Sequence, residues 1–193
     1  GDPLSYPIRF GYNGPFTASA RGLIPATTFT GSVVTDPTGS FQPVVGPSAV
    51  SFDVVVPAGT TYARFALFDA NSPPGSDLDL YVYRGGTLVG SSGGSTAAEQ
   101  VSFVNPTAAT YTVWVHGFNV PTPGSFTLFT WVLGTADAGN MVVSAPGAAT
   151  LGASGTIGLS FTGLAPATRY LGSVAYGGSA GLPNPTIVRV DTP

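Results

Sequence analysis

The chain has 193 residues, a net charge of −3 and a pI near 4.7. Hydrophobic residues make up 43%, which excludes a disordered tail, and charged residues only 8%, far below the usual quarter or so. The six basic residues are all Arg (9, 21, 64, 84, 169 and 189) and lie scattered, so no stripe exists for a phosphate backbone and nucleic acid is excluded as a partner. There is no Cys, which removes disulfides, thiol catalysis and thiolate-bound metals. No apolar run approaches the roughly 20 residues that span a bilayer as a helix. The Gly-Asp-Pro start, without Met or a leader, reads as a processed product or excised fragment. The sparsely charged, Ser/Thr/Gly-rich character suits an extracellular bacterial module.

With 27 Gly and 18 Pro punctuating Val-, Thr- and aromatic-rich stretches, the pattern is that of an all-β chain of short strands. Residues 1–45 hold strand-like Tyr6–Tyr12, Phe16–Arg21 and Thr28–Val34, then an Asp36-Pro37-Thr38-Gly39 turn. Residues 46–134 hold Ala49–Val56, Thr61–Phe68, Asp79–Arg84, Thr87–Ser91, Glu99–Val104, Thr110–Gly117 and Phe126–Leu133. About seven strands at this spacing predict a β-sandwich or jelly roll. Gly85-Gly86 fits a two-residue hairpin turn. Residues 135–193 hold Met141–Ser144, Thr156–Phe161, Tyr170–Tyr176 and Thr186–Asp191. Four strands are too few for an Ig-like sandwich, so this segment is either truncated or packs with residues 1–45.

Gly22-Leu-Ile-Pro-Ala-Thr-Thr-Phe-Thr-Gly-Ser-Val33 matches Gly163-Leu-Ala-Pro-Ala-Thr-Arg-Tyr-Leu-Gly-Ser-Val174 in register. Two copies predict a duplicated structural unit.

Candidate chemistry concentrates in two alternating strands. In Asp77–Arg84, Leu78, Leu80 and Val82 share one face and Asp77, Asp79, Tyr81 and Tyr83 the other. In Tyr111–Phe118, Tyr111, Val113 and Val115 oppose Thr112, Trp114 and His116. His116 is the sole histidine and stands without a nucleophile motif, so it reads as structural. Asp77 and Asp79 present two carboxylates on one face, and Asp69 joins them if the Asn71–Gly75 loop folds back, which points to calcium. Calcium needs roughly six to eight oxygens, however, and the alternative, that Asp77 caps the loop and Asp79 bonds backbone, carries more weight. Glu99, the sole glutamate, has no visible partner for glycosidase chemistry. Tyr81, Tyr83, Trp114 and Phe118 form a candidate aromatic binding face, unless another segment covers it, which is the favoured reading.

Residues 46–133 resemble the bacterial pre-peptidase C-terminal domain. The resemblance is carried by Phe52–Thr60, Ala63–Phe68, Ser76-Asp77-Leu78-Asp79-Leu80-Tyr81-Val82-Tyr83, Glu99–Asn105, Ala109–Gly117 and Gly124–Leu128. The flanks resemble Ig/fibronectin-III-like regions beside such domains in secreted subtilisin-like serine proteases. Leu164, Pro166, Thr168 and Tyr170 match the E–F corner of such folds, where the tyrosine ring is buried and its hydroxyl bonds nearby backbone. The resemblance implies a secreted, non-catalytic C-terminal accessory region. Its partners would be its own catalytic protease domain and a protein or polysaccharide substrate, and its roles substrate binding or folding, secretion and stabilisation. Some relatives bind collagen or calcium. A stand-alone carbohydrate-binding or adhesion module is the alternative.

Overall fold

The computed structural model describes residues 3–193; Gly1 and Asp2, the start of the expected N-terminal segment, lie outside the described residues. It is all-β. The strands are β1 Leu4–Arg9, β2 Gly14–Pro15, β3 Thr17–Pro25, β4 Thr27–Val33, β5 Ala49–Val56, β6 Tyr62–Leu67, β7 Asp77–Arg84 and β8 Thr87–Ser92. They continue with β9 Glu99–Val104, β10 Ala109–Asn119, β11 Gly124–Leu133, β12 Met141–Ser144, β13 Ala148–Ala149, β14 Ser154–Phe161, β15 Arg169–Gly177 and β16 Thr186–Asp191. One 3-10 turn, Asp69–Asn71, interrupts them. Among the described residues no helix is long and apolar enough to cross a membrane.

The chain divides into two compact units: the segment ending at Ala26 together with Leu133–Pro193, and Thr27–Val132. The Thr27–Val132 unit is built from two four-stranded antiparallel sheets, β5-β10-β7-β8 and β4-β11-β6-β9. Leu78, Leu80, Val82, Tyr111, Val113 and Val115, one face of each alternating strand, are fully buried. They cluster with Phe65, Leu67, Phe126 and Leu128 from the second sheet. Each such side chain removed from water contributes about 1.5–3 kcal/mol. The Gly85-Gly86 hairpin is present, with Arg84 opposite Thr87. Thr27–Val33, which the sequence groups with the N-terminal segment, pairs along β11 instead.

The other unit draws on both ends of the chain. Its sheets are β1-β14-β12 and β16-β15-β3, with β2 bridged to β13. Phe10, Phe16, Leu23, Ile157, Leu159 and Val174 form its core.

The sequence repeat does not fold as a duplicated unit. In the first copy Leu23-Ile24-Pro25 is strand and pairs with Tyr170 and Leu171 of the second. In the second copy Leu164–Thr168 is a turn. The backbone partners decide the difference: Gly22 takes φ +77°, where a β-carbon would meet Leu171 O at 3.0 Å, whereas Gly163 lies in open space. Tyr170 is buried and its hydroxyl accepts the Ala165 N–H at 2.9 Å, the corner expected for that copy. An equivalent corner occurs in the larger unit, where the fully buried Tyr111 donates its hydroxyl to Thr107 O at 2.8 Å.

Replacing Tyr111 by Phe keeps the ring and leaves the Thr107 carbonyl short of a donor. Urea unfolding should show a loss of about 1–2 kcal/mol, and an unchanged midpoint would mean that this bond contributes nothing.

Candidate functional site

β7 and β10 carry Asp77, Asp79, Tyr81, Tyr83, Trp114, His116 and Phe118, whereas Asp69 lies in the 3-10 turn and Glu99 in β9. The outer face of β7 and β10 is not an open surface. After β4, residues 34–48 turn back across it as a strap. The Asp36 N–H donates to Gly117 O at 2.8 Å, and the Gly117 N–H donates to Ser48 O at 2.9 Å. Thr35 and Val120 exchange two further bonds: the Val120 N–H donates to Thr35 Oγ1 at 2.9 Å, and Thr35 Oγ1 donates to Val120 O at 3.1 Å. Gly117 is required for this approach, because a β-carbon there would lie 2.5 Å from Val34 O.

Phe41 of the strap stacks on Tyr81, with ring centroids 3.9 Å apart and planes 5° apart. The same ring meets Trp114 at 5.8 Å and His116 at 5.5 Å, both edge-on, and Tyr83 at 6.5 Å. Trp114 is therefore only 7% exposed and belongs to a core. Phe118, at the bulge of β10, stays 46% exposed and stands outside this stack. The four aromatic residues thus do not form one open platform: Tyr81, Tyr83 and Trp114 share Phe41, and Phe118 projects alone.

His116 is 1% exposed and sits between two carboxylates. Its Nε2 is 2.8 Å from Asp36 Oδ2. A carboxylate only accepts, so Nε2 carries the proton. The hydrogen bond from His116, then that from the Thr38 hydroxyl, lowers Asp36 to about 2. Nδ1 has no hydrogen-bond partner and faces Asp79 Oδ2 at 3.8 Å.

Asp79 faces Asp77 and Glu99 in addition. One carboxylate oxygen from each of the three lies within 4.8 Å of the others. Burial first, then the charges of Asp77 and Glu99, raise Asp79 to about 6; burial raises Asp77 as well. Asp77 Oδ1 is buried without a hydrogen-bond partner. Glu99 accepts from the Gly94 N–H at 2.6 Å and from the Ser92 hydroxyl. The Gly93-Gly94 turn closes over the group: a β-carbon at Gly93 would sit 3.4 Å from Asp79 Oδ1, and one at Gly94 3.3 Å from Glu99 Oε1. Asp69 stands apart, its Oδ1 accepting the Ala98 N–H at 3.0 Å.

Sequence reasoning missed Asp36, Phe41 and the membership of Glu99. No periodicity marks the strap. The signal for Glu99 was the Gly93-Gly94 turn, which returns the chain so that the Leu78 N–H bonds Thr96 O and Glu99, at the start of β9 in the other sheet, reaches the carboxylates of β7.

These features define an all-β chain whose one histidine is locked in a buried polar cluster. No protein-family model matches it. A segment covering 46% of the chain is similar to pyrolysin of Pyrococcus furiosus, at 37% identity over 95 residues. The matched segment spans 7% of that protein's length.

Trp114→Ala should lower stability by about 3 kcal/mol in chemical denaturation, as for a core aromatic; a change near zero would mean that the strap does not cover the ring. The Asp36 contribution is present above its ordinary value of 3.8 and is lost as the pH falls towards 2. Asp36→Asn should therefore be less stable than the parent at pH 7, with the gap closing on acidification. A gap independent of pH would refute the His116 pairing.

Proposed function

We propose that the chain is a non-catalytic accessory region of a secreted, extracellular bacterial subtilisin-like serine protease, working beside its own catalytic domain. The observation that carries this reading is His116. Its Nε2 is committed to Asp36, its ring is 1% exposed, and Phe41 lies over it, so it offers no base to a substrate. The similarity to a small part of pyrolysin supports the association with a protease.

Of the two accessory roles, substrate or polymer binding and support of folding, secretion and stability, the strap favours the second. The aromatic face that would grip a protein or polysaccharide is occupied by Phe41. The carboxylates of Asp77, Asp79 and Glu99 extend the same role. Their mutual distance and the orphaned Asp77 Oδ1 fit a hard divalent cation such as calcium, held by these three side chains. A bound cation would supply positive charge that neutralises the group and ties β7 to the start of β9.

The purified chain should show no steady turnover of casein; sustained hydrolysis would overturn the non-catalytic reading. Calcium should raise the melting temperature by roughly 5 °C at saturating excess. The gain should vanish in Asp77→Asn/Glu99→Gln. A melting temperature unmoved by either calcium or EDTA would remove the cation from the proposal.

A further inference from the structure

The unit built from both chain ends contains a pocket of about 570 Å³ that no part of the protease-associated reading uses. This falls within the roughly 300–1,000 Å³ of ordinary ligand sites. Its wall is aromatic: Phe10 meets Phe16 edge-on at 5.0 Å and Tyr12 edge-on at 6.4 Å, and Phe16 stacks against Tyr176 at 6.0 Å. Phe10 and Phe16 are buried, while Tyr6, Tyr12 and Tyr176 are half-buried and keep part of their surface for a visitor.

The polar lining consists of the Tyr6, Tyr12, Tyr176, Ser179 and Thr186 hydroxyls, the Asn184 amide and Arg9. Tyr6 and Tyr176 hydroxyls lie 2.5 Å apart, and the Tyr176 hydroxyl lies 2.5 Å from Thr186 Oγ1. These two bonds use two of three hydroxyl protons, so one proton remains to donate. Burial, then the bond to Tyr176, raises the Tyr6 pKa, which keeps that hydroxyl protonated. Arg9 adds guanidinium donors at the wall. Among the described residues no Asp, Glu or His lines the pocket. It therefore offers flat rings and donors, with acceptors that are all neutral, at the hydroxyls and the Asn184 amide.

From this complementarity we infer that the pocket is a binding site for a proline-rich extended polypeptide segment. A polyproline II strand has no internal hydrogen bonds, so its carbonyls need donors. Prolines bring no N–H that would call for an acceptor, and their rings pack on aromatic side chains in a low-entropy, preformed shape. A cationic ligand finds no counter-charge here. The inference stands independently of the protease-associated role.

The test is calorimetric titration of the full chain with a decaproline peptide, beside a Gly/Ser peptide of equal length, cellohexaose and chitohexaose. Decaproline should bind saturably and the other three should not. Tyr6→Phe, which keeps the ring, should weaken decaproline binding about fivefold to tenfold with the melting temperature retained, and Tyr176→Phe should do the same if the first variant folds poorly. Absence of decaproline binding, equal binding of the Gly/Ser peptide, preference for either sugar, or unchanged affinity in a folded hydroxyl variant would each overturn the proposal.

Discussion

The strap of residues 34–48 is the constraint on which the candidate site depends. A sandwich sheet ordinarily buries one face and leaves the other to water. Here β7 and β10 are buried on both. Their inner face is the core of Leu78, Leu80, Val82, Val113 and Val115, and their outer face lies beneath Phe41. That second burial converts what would be surface chemistry into interior chemistry. It places Trp114 in a core, takes His116 from solvent and puts Asp79 where a charge is expensive. Asp36 makes the arrangement possible, because a buried imidazole proton needs an acceptor and the strap delivers one at 2.8 Å.

Much of the fold was legible because alternation is a strong physical signal. The residues placed on the inner faces of the two strands are those fully buried, and the Gly85-Gly86 hairpin forms where the glycines allow it. The lone histidine read as a structural or surface residue, and it lies buried against Asp36. What the sequence hid was long-range. Thr27–Val33 carries no mark that says which sheet it joins; only its pairing with β11 decides. The Gly-Leu-x-Pro repeat misled for the same reason. Closely matching local residues adopt strand in one place and turn in the other, because Gly22 is held against Leu171 and Gly163 against nothing.

The candidate site shows the same division. Asp77 and Asp79 could be placed together from their spacing of two. Glu99 could not, because it lies twenty residues beyond Asp79 in sequence and its approach depends on the turn between them. The strap lacks any period because its contacts are made by single residues, Asp36 and Phe41, set among turn formers. Aromatic residues on a strand's outer face thus signal a partner, without telling whether the partner is foreign or part of the same chain.

Two unsatisfied atoms show where the interior chemistry is left open. His116 Nδ1 and Asp77 Oδ1 are both buried without hydrogen bonds, and both residues neighbour the Asp79 carboxylate. Each such orphan costs about 1–3 kcal/mol. Packing alone does not explain retaining both beside a carboxylate that resists ionisation. Adding positive charge among Asp77, Asp79 and Glu99 relieves one orphan directly and removes the repulsion that lifts Asp79. Adding a proton to Asp79 reduces the repulsion and creates a donor that faces the His116 Nδ1 lone pair, 3.8 Å away. A cation would thus act at Asp77 Oδ1 and a proton at His116 Nδ1, while Asp36 of the strap holds the opposite nitrogen of the imidazole.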